Sequence, residues 1–188
     1  EEMNMFRMNI GIEHGNYDYR KNYLKRVVSN DLQVKAFEMV ADKKYTSVAN
    51  SIIGMPDETR DLIFDTIKLV RRLPKSIDAT GAFIFVPYHG TPLRELAIQK
   101  GYIKDHEIAS VSVTAHKSML TMPTISKEEI AGLARAFSLY VKFPENRWDE
   151  VKIAEKFDRE GDAMLKKLGE EFDQKYFGQG NQTSADLH

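Results

Sequence analysis

The chain has 188 residues, enough for one domain or one domain with an appendage, and its 42% hydrophobic and 29% charged content is that of an ordinary globular protein. Its 27 basic against 28 acidic residues leave a formal charge of −1, so no global basic field points to nucleic acid. The absence of cysteine excludes disulfides, cysteine-type zinc sites and thiolate catalysis within this chain, and no apolar run is long enough to span a bilayer. The opening EEMNMFRM lacks a signal-peptide profile, which predicts a cytoplasmic setting without membrane partners.

Phe6, Met8, Ile10 and Ile12 alternate with Arg7, Asn9, Gly11 and Glu13, a period of two that predicts a first strand ending at the Gly15-Asn16 turn pair. Tyr17, Tyr19 and Tyr23 then read as a polar aromatic loop, and Ser29-Asn30-Asp31 can cap a helix that buries Val34, Phe37, Val40 and Ala41. Residues 45–54 form the second predicted strand and 57–73 the second helix, with Leu62, Ile63, Ile67, Val70 and Leu73 on one face. Between them lies IIGMPDET. Gly54 lets the backbone turn, Pro56 fixes the turn, and Asp57-Glu58 suit the first turn of the helix.

Residues 77–90 are the third predicted strand. The next helix begins with Thr91 as cap and Pro92 at its first position, and Gly101 can end it. This β-α-β-α-β-α order predicts an α/β fold with a parallel sheet and helices packed outside. Residues 107–125, with His116, read as an irregular connection. Ser126 to Glu129 is a capping box opening a helix to about Val141, and Trp148 to about Tyr176 reads as one long helix over an apolar stripe that includes Phe157. The tail from 178 is polar and glycine-containing, the composition of a disordered segment. Three parallel strands leave two open edges, so the chain is expected to be the carboxyl part of a larger protein, with self-association through its exposed strand edge.

Three strand ends, GIEHGN (11–16), NSIIGMPDET (50–59) and FVPYHGTPL (85–93), resemble in order and spacing the second half of the radical S-adenosylmethionine enzymes. His14 and LYVKFPENRW (139–148) most resemble the branch with an amino-terminal cobalamin-binding domain. The resemblance implies that residues 1–104 are half of a partial (β/α)6 TIM-like barrel, its fourth to sixth strands, with a mostly helical extension over 105–177. It also implies a [4Fe–4S] cluster held by cysteines of a missing amino-terminal half and reductive cleavage of S-adenosylmethionine for radical chemistry on a small-molecule substrate. Cobalamin is a second implied cofactor, for methyl transfer. None of the three cluster cysteines is present.

The residues carried over are those of the adenosine side of the cofactor pocket. Glu13 matches an inward polar residue that contacts the cofactor, and Arg26 an arginine that meets its carboxylate in the forked geometry an ammonium lacks. Asn50 stands where several relatives place an acidic residue on the ribose, Ile52 and Gly54 pack beside adenine, and Val86, Pro87 and Tyr88 border it. Asp57 departs from the glycine common in this turn. His14 and His89 are candidate proton carriers against the plainer reading of structural loop histidines, and no metal site is assigned. Two other readings stand beside this one: a non-catalytic binding or interaction module that has lost the cluster, and an unrelated barrel enzyme sharing only the βα architecture.

Overall fold

The computed structural model describes residues 5–79, 81–108 and 117–177. The polar tail and His116 lie outside them. Three strands, β1 (Arg7–Glu13), β2 (Thr46–Ile53) and β3 (Ala82–Ile84), form one parallel sheet in the order β1-β2-β3. The helices between them are α1 (Tyr17–Tyr23) and α2 (Asn30–Glu38), then α3 (Arg60–Arg71), with α4 (Pro92–Gln99) following β3. The α/β class is that expected from the sequence. The third strand is shorter than its apolar run, because its first part touches β2 only through a bridge from Asp78 to Val48.

Alternation separates the two faces of the sheet. Ser47, Ala49, Ser51, Ile53 and Ile84 are buried against the helices, whose inward residues include Phe37, Ile63, Ile67 and Val70. The opposite face carries Arg7, Asn9 and Gly11 from β1, Val48, Asn50 and Ile52 from β2, and Phe83 from β3. It stays open: Asn9 is exposed, Phe83 is 63% exposed, and the β2 residues are only half-buried. Parallel sheets ordinarily cover both faces, so this open one is where a ligand or another surface fits.

The stretch read as an aromatic loop is instead helix α1. Asn16 accepts from the Tyr19 amide at 2.9 Å, and Tyr19 stacks between His14 and Tyr23 with ring centroids 4.3 Å apart on each side. Ser29 caps α2 as expected, whereas Thr91 donates to the Tyr88 carbonyl and makes no side-chain cap on α4.

Helix α5 (Lys127–Lys142) opens on the expected Ser126–Glu129 capping box and packs on α3 and β3, so one hydrophobic core runs through both halves of the chain. The long helix expected beyond it is broken into α6 (Trp148–Ala154) and α7 (Arg159–Phe172), followed by one π turn, Asp173–Phe177. Asp158 stops and restarts the chain by accepting from the Gly161 amide at 2.8 Å, and a Cβ at Gly161 would lie 2.0 Å from the Lys156 carbonyl oxygen. The break turns Phe157 outward, 62% exposed, under the Arg135 guanidinium.

Candidate functional site

The carboxyl ends of the three strands meet at one rim of the open face, and β1 ends irregularly. Its pairing with β2 slips between Gly11 and Glu13, a bulge. The His14 amide then donates to the Ile12 carbonyl at 2.9 Å across Glu13, which has a φ of 65°. This three-residue turn of positive φ is rare and strained, on the order of 1–3 kcal/mol for a residue other than glycine. Bulges and such strain gather where a strand must re-aim a side chain.

The aim here is the open face. Glu13 Oε1 lies 2.1 Å from where a Cβ on Gly11 would stand, so its carboxylate occupies space that only glycine leaves free. Arg26 Nη1 sits 3.5 Å from the same oxygen, and the two side chains remain 37% and 32% exposed for Arg26 and Glu13. Arg26 reaches this position because Lys25, with a φ of 53°, reverses the chain after α1. Gly11 pairs with Asn50, so the amide of Asn50 stands beside the ion pair on the same face, with Ile52 one step further along β2 and Phe83 opposite Ile52. Four of the expected residues, Glu13, Arg26, Asn50 and Ile52, are thus brought to one face. A carboxylate, a guanidinium, an amide and an apolar floor in that order suit a ligand with a zwitterionic end and a flat, weakly polar body.

The other four expected residues are placed differently. Gly54, with a φ of 78°, is buried, and a Cβ there would fall 2.9 Å from Ile130 of α5. Its amide is taken by Glu58. Val86 is half-buried, Pro87 is buried, and Tyr88 is 63% exposed at the rim beyond β3. His14 is fully buried: Nδ1 accepts from the Asn16 amide at 2.9 Å, which assigns its proton to Nε2, 3.0 Å from Glu58 Oε1 and out of line for a hydrogen bond. His89 is exposed.

Each strand-end loop is held by one fully buried charged residue that the sequence reading missed. Arg20 holds the loop after β1, donating to the carbonyls of His14 at 2.5 Å and Val28 at 2.7 Å and to Asn30 Oδ1 at 2.7 Å. Glu58 holds the turn after β2 by accepting from the amides of Gly54 and Met55. Arg94 holds the loop after β3, donating to the carbonyls of Pro87 at 3.1 Å, Asp105 at 2.7 Å and Glu107 at 3.0 Å. Asp57 and Glu58 therefore lie ahead of the helix they were expected to start, whose cap is Thr59.

Asp57, at a φ of 62°, ties the β2 turn to the last residue of α1 and to two residues just beyond α4. It accepts from Tyr23 at 2.8 Å and Tyr102 at 2.5 Å and pairs with Lys100 at 2.8 Å. Burial alone would raise its carboxyl, but the hydrogen bonds from Lys100, Tyr102 and Tyr23 outweigh that and hold it below its ordinary value. Burial, then the Glu58 charge, pushes the Tyr19 hydroxyl far upward, so it stays protonated and donates to the Pro56 carbonyl at 2.6 Å.

A separate cleft of 270 Å³ opens where α1, α2 and α3 meet, lined by Asn16, Tyr17, Asn30, Asp65, Lys68 and Arg72 among others. Two of its charges are already engaged, Asp65 with Asn16 and Arg72 with Asp31. Among the described residues no group of acidic, histidine or cysteine side chains is arranged to hold a metal, and no helix is long and apolar enough to cross a membrane. No protein-family model matches the chain, and no curated protein matches it.

Proposed function

We propose that the chain is the carboxyl half of a radical S-adenosylmethionine barrel, strands four to six of a partial (β/α)6 fold, and that its open face forms the adenosine side of the cofactor pocket. The observation that carries this reading is the Glu13–Arg26 pair, set over Gly11 by a strained turn and flanked by Asn50 and Ile52. Glu13 takes the ammonium of the methionine moiety, Arg26 its carboxylate, and Asn50 the ribose hydroxyls. Adenine lies over Ile52, with Tyr88 at the rim beyond β3. The donors and acceptors present fit those groups.

With a [4Fe–4S] cluster bound, the chemistry supplied is one-electron cleavage of the cofactor. This chain has no cysteine to ligate such a cluster. The reading therefore requires a partner segment, a missing amino-terminal half of the same protein with a C-x-x-x-C-x-x-C motif and, in the cobalamin-associated branch, a cobalamin domain. The role of this chain is to bind and orient the cofactor and to exclude water from it, with a small-molecule substrate approaching from the same side.

Backbone NMR of this chain titrated with S-adenosylmethionine tests the pocket. Shifts at Gly11, Glu13, Arg26, Asn50 and Ile52 are expected; shifts confined to the cleft around Lys68 would refute it. A non-catalytic interaction module that has lost the cluster is the second reading, favoured by the exposed Phe83 on the open face. Light scattering separates the two: the half-barrel pairs through the free edge of β1, whereas the module stays monodisperse and monomeric at high concentration.

A further inference from the structure

The geometry points to Arg20 as the positioning residue of the pocket, the group that holds Glu13 and Arg26 in one fixed relation. This inference rests on the reading of the open face as a cofactor site.

Glu13 and Arg26 sit on different segments, one at the end of β1, where Glu13 pairs with Ser51 beyond the bulge, and one in the link from α1 to α2, outside the sheet. Arg20 joins them. Its Nη1 donates to the carbonyl of His14, the residue directly after Glu13, and its Nη2 donates to the carbonyl of Val28, two residues after Arg26. Its own carbonyl accepts from the Arg26 amide at 3.1 Å. Asn30 continues the link, accepting from Arg20 and donating to the Gly15 carbonyl at 2.9 Å. The amide of Gln33, with its oxygen turned inward, accepts from Nη2 and Nε at 3.0 and 3.2 Å.

Every one of these acceptors is neutral, so the guanidinium is fully buried without a carboxylate among its partners. A buried charge is costly unless its donors are satisfied, and here two backbone carbonyls and two side-chain amides satisfy them. A forked, planar, permanently charged donor set is what fixes two carbonyls and an amide at defined angles.

The test separates positioning from folding and from the parent reading. S-Adenosylhomocysteine and 5′-methylthioadenosine share the adenosine and a neutral sulfur and differ only in the amino-acid end. Both are titrated by NMR against the full chain, as wild type, Arg20→Lys and Asn30→Ala. Wild type should prefer S-adenosylhomocysteine by about tenfold or more, the size of one charge-assisted hydrogen bond. Arg20→Lys, which keeps the charge and loses the fork, should bring the ratio close to one while binding of 5′-methylthioadenosine changes less than about threefold. Asn30→Ala, the milder variant should Arg20→Lys not fold, should lower the ratio in the same direction. A preference retained in the folded variants overturns the role of Arg20. No preference in wild type overturns the cofactor reading itself.

Discussion

Replacing Gly11 by alanine should empty the pocket of its carboxylate while sparing the fold. The new Cβ would lie 2.1 Å from Glu13 Oε1, 3.0 Å from Glu13 Cδ and 3.6 Å from Arg26 Nη1. These close atoms are the ends of flexible side chains, so Glu13 swings away rather than the backbone moving. The lost ion pair is about one-third exposed and worth roughly 0.2–1 kcal/mol, and Gly→Ala in extended backbone returns about 0.4–1 kcal/mol from the unfolded state. Urea unfolding should therefore place Gly11→Ala within about 1 kcal/mol of wild type. Binding responds differently, because a charge-assisted hydrogen bond contributes about 1.5–3 kcal/mol, or roughly 10- to 150-fold in affinity. An NMR titration with S-adenosylmethionine reads that loss. An alanine variant that binds as wild type does would show that the Glu13 carboxylate takes no part in recognition.

Gly15→Ala makes the opposite case: its Cβ would fall 2.2 Å from the Asp65 carbonyl oxygen and 2.4 Å from Thr66 Cα, both backbone, so thermal unfolding should show destabilisation of about 3 kcal/mol or more. Glu58→Ala strips the buried Gly54 and Met55 amides of their acceptor and should cost about 1–3 kcal/mol for each, measured by urea unfolding. The Asp57 carboxyl lies below its ordinary value of 3.8 in the folded chain, so its stabilisation is complete above that pH and is lost as pH falls further. The gap between the stability curves of wild type and Asp57→Asn should accordingly be constant above pH 3.8 and change only as pH falls below it, where wild type loses the contribution of the carboxylate.

What the sequence disclosed follows from how local each signal is. The alternation of Phe6 to Glu13 and the Ser126–Glu129 box are complete within a few residues, and both elements formed where expected. Helix α1 was missed because seven residues with three tyrosines carry little helical preference of their own; the stack on His14 and the Asn16 cap make it a helix. The break at Asp158 had a local signature, a capping residue three before Gly161, concealed by the continuous apolar stripe around it. Glu13, Arg26, Asn50 and Ile52 were expected through the resemblance of the strand ends to a known family, and the fold brings these four to one face. Arg20, Glu58 and Arg94 escaped because they act mainly on main-chain groups of the strand-end loops, and no side-chain pattern along the chain encodes a backbone partner.

The assay that bears most directly on the account is formation of 5′-deoxyadenosine by the whole polypeptide that the gene of this chain encodes. The protein is reconstituted anaerobically with iron and sulfide and given dithionite and S-adenosylmethionine. The account predicts 5′-deoxyadenosine from the wild type and its loss in Glu13→Ala and Asn50→Ala. A protein with a fully loaded cluster that yields none, or a gene without a C-x-x-x-C-x-x-C motif upstream of Glu1, would contradict it.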